Sequence, residues 1–386
     1  MNSYKGIIEL KTLRFAYLSA DDPRNKKVWS GTHYSIYRAI SSFGNVEILG
    51  PYNPNIRTFL SRALNQVSLL LTGKRISYRH STFISKGYAQ HFENKLKNKN
   101  IDFILAPSAS CEIAFLKTKI PIIYLTDGTF AGCLGYHKSL SHLRQRSIDQ
   151  GNTIEKKALQ KAKYVLVSSL WAHDSAVNDY QCDPRKIHIL PFGANLETIP
   201  VQVNIQFDVP ETWKLLFAAV YWEDKGGERA FNCMKALLDK GHKVELTVLG
   251  CIPPAEFTHP NLKVIPFIDK NALNGQQKMA EIFSRHHFLI LPTRFDCTPI
   301  VINEASAFGI PSLVARTGGV EGHLKEGING FTVSYSDEGS EYADKIEKLI
   351  QHPEEYLKLR QSTRTLYLEQ LNWEKWTAEF KKIISA

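Results

Sequence analysis

The segment from Arg294 to Gly319 contains two carboxylates that could do chemistry, and it reads RFDCTPIVINEASAFGIPSLVARTGG. Asp296 precedes a Thr-Pro pair, which is typical of a helix start, and Glu304 lies inside the helix predicted over 299–309. A helix start presents free N–H groups, which suit a phosphate or a sugar hydroxyl, and a carboxylate can accept hydrogen bonds from a vicinal diol. The alternative is that Asp296 only stabilises the helix N-terminus and Glu304 faces solvent, and spacing alone leaves both open.

A second candidate site is the segment 221–231, YWEDKGGERAF, in which Lys225 and two glycines separate a predicted strand from a predicted helix. Glycine allows the backbone to approach a ligand closely, and a lysine ammonium can neutralise a diphosphate. The segment lacks the GxxxxGK[ST] pattern of a Walker loop, so it does not support ATP hydrolysis. Gly31, at the start of a helix predicted from GTHYSIYRAI, and the TGG at 317–319 are weaker signals of the same kind.

Strand and helix patterns alternate along the chain, which predicts an α/β fold with parallel sheets. Predicted strands cover 13–20, 46–50, 101–108, 121–127, 163–169, 186–195, 214–220, 243–250, 262–267, 287–292 and 310–315. Predicted helices cover 32–44, 56–72, 153–162, 227–241, 275–286, 299–309 and 371–386. The pattern stops over 197–213, which we interpret as a linker between two Rossmann-like units. Ligands would bind in the cleft between them, at the carboxyl ends of the strands.

The composition is that of a globular protein with two domains: 386 residues, of which 43% are hydrophobic and 22% charged. The six cysteines form no CxxC pair, so we expect buried free thiols and no zinc site. The N-terminal segment lacks the apolar core of a signal peptide and no run is long enough to span a membrane, so we expect a cytoplasmic protein. The formal net charge of +10 favours an acidic partner.

Together these motifs resemble the retaining glycosyltransferases of family 4, which have the GT-B fold. The family motif has two glutamates separated by seven residues and a tail of the form EAxAxGxP. Here PTRFDCTPIVINEASAFGIP places Asp296 and Glu304 at the two acidic positions. The resemblance covers nearly the whole chain, and its other motifs are WSGT, EKKALQKA at 155–162, FGAN at 192–195, the KGG turn, and GGV with NGFTV between 318 and 333.

The resemblance also implies an organisation of the chain. It implies an acceptor-binding domain over 1–200, a nucleotide-sugar-binding domain over 201–370, and a C-terminal helix, 371–386, that crosses back onto the first domain. The two domains would be Rossmann-like and would face a cleft. The implied activity is transfer of a sugar from a nucleotide-sugar donor to a glycan or lipid-linked acceptor, in surface polysaccharide or glycolipid biosynthesis.

Roles for single residues follow from the same resemblance. Lys225 would neutralise the donor diphosphate, Glu304 would bind the ribose, and Asp296 would hold the transferred sugar. Gly31 would approach the diphosphate or the acceptor. The expected catalytic set is Asp127, Lys225 and Asp296. The expected substrate-binding set is Gly31, Lys225, Asp296, Cys297, Thr298, Pro299, Ile300 and Glu304. Transfer in the family proceeds with retention and usually without a metal, so no cofactor is expected.

The chain departs from the family pattern in four places. Asp296 replaces the usual glutamate, and VYWED stands where an arginine commonly precedes the lysine. Asp127 occupies the place of a frequent histidine, for which His137 is a poorer substitute. Glu321 comes one place early after the two glycines. These departures concern the phosphate clamp and the acceptor side, and they do not affect the predicted fold.

The segment 55–80 is a candidate membrane contact. One face of its predicted helix is apolar, and it is flanked by basic residues without any acid. The helix either docks on anionic lipid at the inner face of the membrane or packs its apolar face on the sheet. The apolar residues are Ile56, Phe59, Leu60, Ala63, Leu64, Val67, Leu70 and Leu71, and the basic ones are Arg57, Arg62, Lys74, Arg75, Arg79 and His80.

Four other functions fit less well. A nucleotide-sugar epimerase shares the fold, whereas a glycosyl phosphorylase would need a lysine for pyridoxal phosphate in a much longer chain. A sugar-binding protein of the periplasmic type would require export. Nucleic-acid binding is suggested only by the net charge, and the basic residues are spread along the chain without an aromatic–basic module, so no nucleic acid is expected.

Overall fold

The structure, a computed structural model, describes residues 12–203 and 209–385, and these form two β-sheets with helices against them. The first half of the chain contains β1 (Leu13–Tyr17), α1 (Thr32–Ser41), β2 (Gly44–Ile48), α2 (Asn55–Thr72), α3 (Thr82–Leu96), β3 (Phe103–Pro107), α4 (Ser110–Ile113), β4 (Ile122–Thr126), α5 (Phe130–Cys133), α6 (Gln145–Lys161), β5 (Tyr164–Val167), α7 (Leu170–Asn178) and β6 (Ile187–Ile189).

The second half repeats the alternation. It contains β7 (Trp213–Ala218), α8 (Gly227–Asp239), β8 (Val244–Leu249), β9 (Leu262–Ile265), α9 (Gly275–Ser284), β10 (Phe288–Leu291), α10 (Ile300–Ser306), β11 (Ser312–Ala315), β12 (Gly330–Val333), α11 (Ser340–Gln351), α12 (Pro353–Glu369) and α13 (Trp373–Ser385). None of the helices in the described ranges is both long enough and apolar enough to cross a membrane.

Each sheet has six parallel strands within the described residues. The order is β2-β1-β3-β4-β5-β6 in the first sheet and β12-β11-β10-β7-β8-β9 in the second. The central strands are short apolar runs such as IIYLT and FLIL, and every residue of these two is buried. Helices on both faces remove such strands from water, which is why they lack the alternation of a half-exposed strand.

The last helix, α13, belongs structurally to the first sheet. Trp376 and Phe380 are fully buried in one apolar cluster with Phe15 and Tyr17 of β1. The ring of Phe380 lies 6.4 Å from that of Phe15. The chain therefore crosses back from the second sheet to the first, as the fold class required. The exact division of the chain at 200 and at 370 stays a prediction.

Most predicted strands are confirmed with ends displaced by a few residues, but some elements were wrong or missed. The strand predicted over 186–195 is limited to β6, and the rest of that segment is irregular. The helices α3, α4, α5, α7, α11 and α12 were not predicted; in α3 and α12 the apolar residues show little helical periodicity. Strand β12 was missed because it is only four residues long. Part of the predicted linker, 204–208, lies outside the described residues.

Helix α2 confirms the helix predicted over 56–72, but its orientation contradicts the expectation that an ordinary helix packs its apolar face on the sheet. Leu70 is 86% exposed and Phe59 is 72% exposed, whereas Thr58, Ser61 and Ser68 are buried. The helix thus turns its polar side inward. We call the outward side the α2 apolar face, formed by Ile56, Phe59, Leu60, Ala63, Leu64, Val67, Leu70 and Leu71.

Candidate functional site

The carboxyl ends of the strands in the second sheet bear the residues that the sequence singled out. Lys225 lies in the loop between β7 and α8, and residues 292–299 connect β10 to α10. Because β7 and β10 pair directly and in parallel, the two loops emerge side by side. They border a first cavity of about 550 Å³, which is a usual size for a small-molecule site.

Asp296 is 9% exposed, and Lys225 balances its charge. Lys225 Nζ lies 2.5 Å from Asp296 Oδ2 and also donates a hydrogen bond of 2.9 Å to the carbonyl oxygen of Phe295. Within the described ranges, no hydrogen bond joins this carboxylate to the first turn of α10. Asp296 therefore does not cap this helix by a hydrogen bond, and stabilisation of the helix N-terminus by its charge remains the alternative role.

Glu304 is also buried, at 4% exposure, so the alternative in which it faces solvent is wrong. The Nζ atom of Lys270 lies 2.7 Å from Glu304 Oε1. Lys270 belongs to the segment after β9, whereas Glu304 is on α10. The ion pair joins these two elements at the wall of the first cavity, which both residues line.

The first cavity contains more lysine than carboxylate. Its wall includes Lys26 and Lys27 besides Lys225 and Lys270, against the carboxylates of Asp296 and Glu304. The carboxylates that pair with Lys26 and Lys27, at 2.6 Å and 2.7 Å, belong to residues outside this wall. Each of the four lysines is thus paired with one carboxylate, and an anionic ligand such as a diphosphate would bind a lysine by replacing its carboxylate.

The glycines of the TGG loop allow it to pack on the loop of Asp296. A Cβ atom on Gly319 would lie 1.9 Å from the carbonyl oxygen of Cys297, and one on Gly318 would lie 2.3 Å from that of Asp296. In the KGG turn, a Cβ on Gly226 would lie 2.0 Å from the carbonyl oxygen of Pro292. These glycines are thus required by contacts between loops, in addition to any approach of a ligand.

Cys297 and Thr298, which follow Asp296, both contact the first half of the chain. Cys297 is buried, with its Sγ atom 3.6 Å from that of Cys133. Thr298 Oγ1 lies 2.5 Å from Ser168 Oγ. Both contacts reach the other half of the chain, so this loop closes one side of the cleft.

The helix start differs slightly from the prediction. Pro299 is the N-cap residue, and α10 runs only from Ile300 to Ser306, so the predicted helix over 299–309 was wrong at both ends. Pro299 and Ile300 line the first cavity, together with Thr298 and Val301. The last residues of the predicted helix lead directly into the tight connection to β11.

Gly31 lines neither the first cavity nor the second cavity described below. Its neighbours Trp29 and Ser30 line both, and they adopt positive φ angles of 47° and 55°. Gly31 itself has a φ of 93° and serves as the N-cap of α1. The turn therefore lies at the cleft. Trp29 and Ser30 line the two cavities, whereas Gly31, which was predicted to approach the ligand, does not.

Asp127 follows β4 and lines a second cavity of about 490 Å³ on the side of the first sheet. Its Oδ2 atom accepts a hydrogen bond of 3.0 Å from Trp29 Nε1. Burial raises the pKa of Asp127 to about 6, against the opposing effects of the Trp29 hydrogen bond and the Lys225 ammonium. His137 lines the same cavity. The structure thus brings Asp127 to the cleft together with Asp296, Cys297, Thr298 and Ile300.

Sequence reasoning missed several residues of the two cavities, above all Lys270, Trp29 and Glu112. Lys270 follows the strand pattern LKVIPF closely, and its position after a strand in the second sheet was a usable signal. Trp29 belongs to the WSGT motif, in which only Gly31 was predicted to bind a ligand. Nothing in the sequence around Glu112 indicates that it faces a cavity.

The second half of the chain is similar in sequence to a known family. Residues 213–352 match the family described as Glycosyl transferases group 1. This segment includes Lys225, Asp296 and Glu304. The chain has the GT-B fold, as the resemblance of its motifs implied, and this part of its sequence is similar to the group 1 glycosyltransferases.

Solved structures of the same fold cover almost the whole chain. Sucrose-phosphate synthase from Thermosynechococcus elongatus matches with a TM-score of 0.68 at 14% identity, over 97% of this chain and 98% of that one. WaaG, a glycosyltransferase involved in lipopolysaccharide biosynthesis, matches with a TM-score of 0.63 at 15% identity, over 97% and 100%. HepE from Anabaena, in complex with UDP and glucose, matches with a TM-score of 0.63 at 13% identity, over 97% and 99%. No curated protein matches the chain by sequence.

Replacing Lys270 by methionine should destabilise the protein, because it leaves the buried carboxylate of Glu304 without a cation. We expect a loss of about 3 kcal/mol in the free energy of unfolding, measured with urea near neutral pH. The double variant Lys270→Met with Glu304→Gln should recover most of this loss, since it removes the buried charge as well. Lys382→Met is the control, because its pair with Glu379 is exposed and should contribute little. Equal stability of the single and double variants would contradict the role of this ion pair.

Proposed function

We propose that the chain is a retaining glycosyltransferase that moves a sugar from a nucleotide-sugar donor to a hydroxyl group of a glycan or glycolipid, in surface polysaccharide or glycolipid biosynthesis. One observation carries the proposal: the first cavity combines two buried carboxylates, Asp296 and Glu304, with an excess of lysine. A nucleotide sugar has a diphosphate between two polyols. It therefore presents an anion to the lysines and hydroxyl donors to the carboxylates.

The ion pairs of the first cavity suggest how the donor binds. The diphosphate would compete with Asp296 for the ammonium of Lys225, and Asp296 would then accept hydrogen bonds from the hydroxyls of the transferred sugar. The ribose hydroxyls would donate to Glu304, whose position on α10 is held by Lys270. Asp296 is one methylene shorter than the glutamate usual in the family, so either the sugar lies nearer its loop or a water bridges the gap.

Transfer would proceed on one face of the sugar. The leaving phosphate would take the proton of the acceptor hydroxyl on the face from which it departs, so no nucleophile of the protein and no metal is needed. Asp127 lines the second cavity beside Asp296. It would accept a hydrogen bond from the acceptor hydroxyl and thereby orient that hydroxyl.

A uridine diphosphate sugar is the first donor to test, because HepE, which shares the fold, is described in complexes with UDP and with UDP-glucose. At the low identity between the chains the base is not transferred by analogy. Isothermal titration with UDP, GDP and ADP identifies the base directly, since the preferred nucleotide should bind most tightly.

The product should keep the anomeric configuration of the donor, and EDTA should not reduce the rate. The measurement is proton NMR of the glycoside formed from the preferred donor with a panel of glycoside acceptors, with and without EDTA. An inverted product would contradict retention, and loss of activity in EDTA would contradict metal independence. Conversion of the nucleotide sugar into an epimer without transfer would support the epimerase alternative instead.

Variants should separate the roles in the first cavity. Lys225→Ala should weaken nucleoside diphosphate binding by about 1.5–3 kcal/mol, because it removes a charge-assisted contact. Glu304→Ala should also weaken this binding. Asp296→Asn should leave the affinity unchanged or slightly higher, because Lys225 is then released to the diphosphate, but it should remove most of the transfer rate.

Calorimetry and initial rates provide the measurements, with Lys235→Ala as the control because that lysine is exposed on the same helix as the KGG turn. Tight diphosphate binding by Lys225→Ala would exclude Lys225 from the phosphate site. If Asp296→Asn bound the diphosphate poorly yet transferred sugar normally at saturation, Asp296 would not hold the sugar.

We propose further that the protein is cytoplasmic and docks on an anionic membrane through the α2 apolar face, where a lipid-linked acceptor would be presented. The residues of this face lie within an arc of about 140° on the helix, given 100° per residue. Leu70 and Leu71 are 86% and 79% exposed. A contiguous apolar surface of this kind is unusual in a protein that meets only water, and the interface of a bilayer can cover it.

The charges around this face favour an anionic lipid surface. Arg57 and Arg62 lie at its two borders, and Lys74, Arg75 and Arg79 follow the helix. The segment 55–80 contains no aspartate or glutamate. Each basic residue near an anionic surface contributes about 1 kcal/mol. The segment therefore combines the two features that an interfacial helix needs, an apolar face and a basic border.

The membrane proposal is tested by flotation with vesicles of phosphatidylcholine alone or mixed with phosphatidylglycerol. The wild-type protein should float with the anionic vesicles. The variants Leu70→Ser with Leu71→Ser, and Arg62→Gln with Lys74→Gln, should each reduce binding by about 30-fold or more, from the apolar area and the charges removed. Leu273→Ser is the matched control, because this leucine is 99% exposed far from α2 in sequence.

Absence of flotation, or flotation unaffected by either double variant, would contradict the proposal. A protein that is dimeric in solution and becomes monomeric in Leu70→Ser with Leu71→Ser would show that a second copy covers the face. That result would equally overturn membrane docking.

A further inference from the structure

The second cavity is the place in the described structure where an acceptor would meet the donor. It adjoins the first cavity, and five residues line both: Trp29, Ser30, Asp296, Thr298 and Ile300. If the proposed function holds, a molecule in the second cavity lies next to the sugar to be transferred. The chemistry of its wall therefore selects the acceptor.

Acidic side chains dominate the charge of this wall. Glu112 and Glu155 are 6% and 2% exposed, and Asp127 lines the same cavity. Glu155 Oε1 accepts a hydrogen bond of 2.9 Å from the hydroxyl of Tyr124. Neither Glu112 nor Glu155 forms an ion pair with any residue that the structure describes. Neither carboxyl group is thus held in a salt bridge at the cavity, although the charge of Arg79 acts on Glu112.

Positive charge in the wall is limited to one side chain. Arg79 is the single lysine or arginine among the described residues that line the cavity, and it lies near Glu112. Burial lowers the pKa of His80 to about 4 and also lowers the pKa of His137, so both imidazoles are neutral at neutral pH. Four carboxyl groups therefore line this cavity with one guanidinium group, and one of the four, that of Asp296, is already paired with Lys225.

The rest of the wall is suited to a sugar ring. Aromatic rings can stack on the apolar face of a pyranose, while hydroxyl groups and carboxylates bind its edge. The aromatic residues in the wall are Trp29, Tyr88, Tyr124, Phe130, Phe192 and Phe295.

We propose that the second cavity binds an uncharged sugar residue at the end of the acceptor, and that Glu112 and Glu155 exclude acceptors that carry an anionic group at this position. The carboxylates accept hydrogen bonds from the hydroxyls of a neutral sugar. A uronic acid or a sugar phosphate in the same place would meet two carboxylates and one guanidinium, that of Arg79 near Glu112, and like charges at close range cost binding energy.

The same arrangement places any phosphate of a lipid linkage outside the cavity. Arg75 Nη1 donates a hydrogen bond of 3.0 Å to the carbonyl oxygen of Lys138, and the next residue, Ser139, lines the cavity. Arg75 thus lies beside the wall of the acidic cavity, Arg79 is part of that wall, and both follow α2 in the chain. An acceptor with a neutral sugar, a phosphate and a lipid chain would meet the cavity, these arginines and α2 in that order.

The proposal is tested by binding, without any transfer reaction. The probes are methyl hexopyranosides and the corresponding methyl hexuronides, titrated by ligand-observed NMR in the presence of UDP. Burial raises the pKa of both Glu112 and Glu155 to about 7, so the titration is run near pH 8.5, where most of both carboxyls are ionised. At least one hexoside should bind, and its hexuronide should bind about tenfold more weakly or worse.

The variants Glu112→Gln and Glu155→Gln should bring the two affinities to within about threefold of each other, because the amide keeps the size and the carbonyl acceptor but loses the charge. Glu47→Gln is the control, since Glu47 lies on the exposed edge strand β2 and pairs with Lys99. Thermal unfolding and UDP affinity show whether each variant is folded.

Two results would overturn the proposal: hexuronides that bind the wild-type protein as well as hexosides do, or a ratio that stays unchanged in both glutamine variants. Failure of every hexoside to bind would overturn it too. These results are distinct from a failure of the proposed function, which would appear as absent UDP binding or absent transfer with normal glycoside binding.

Discussion

The ion pair between Lys225 and Asp296 is the interaction on which the donor side of the cleft depends. A carboxylate as buried as that of Asp296 is costly without a cation, and Lys225 supplies one at 2.5 Å. The pair ties the loop after β7 to the loop after β10, and the TGG loop packs on the second of these. The loops after β7, β10 and β11 are therefore fixed relative to one another. Their positions determine the shape of both cavities.

Charge is separated along the cleft in a way that the net charge of +10 conceals. Lysines exceed carboxylates in the first cavity, carboxylates exceed cations in the second, and the segment 55–80 is basic throughout. Because opposite charges attract and like charges repel over short distances, each region favours a different part of the reactants. The overall charge alone suggested only an acidic partner.

The sequence was sufficient for the fold and for the centre of the donor site. Apolar runs such as IIYLT and FLIL are typical of strands covered on both faces, and Asp296 and Glu304 occupy a motif with fixed spacing. The local sequence pattern was not sufficient to predict the contacts of a side chain whose partners are distant in the sequence. The pairing of Lys270 with Glu304 joins two segments 34 residues apart, and nothing nearby in the sequence specifies it.

Helix α2 was predicted from the sequence, but the direction in which it faces was not. Its periodicity correctly predicted a helix, since periodicity reports that one face differs from the other. It does not report which face meets the protein. The inward position of Thr58, Ser61 and Ser68 depends on the polar groups that surround them, including the carbonyl of Lys74 that accepts from Ser68.

The return of α13 to the first sheet has a consequence for biosynthesis. The core around β1 contains Trp376 and Phe380, so it is complete only after almost the whole chain has left the ribosome. Domains that are contiguous in sequence can fold one after the other as they emerge. In this protein the first sheet must wait, with part of its apolar surface uncovered, while the second sheet is translated and can fold. The half of the chain made first is therefore the half that is finished last.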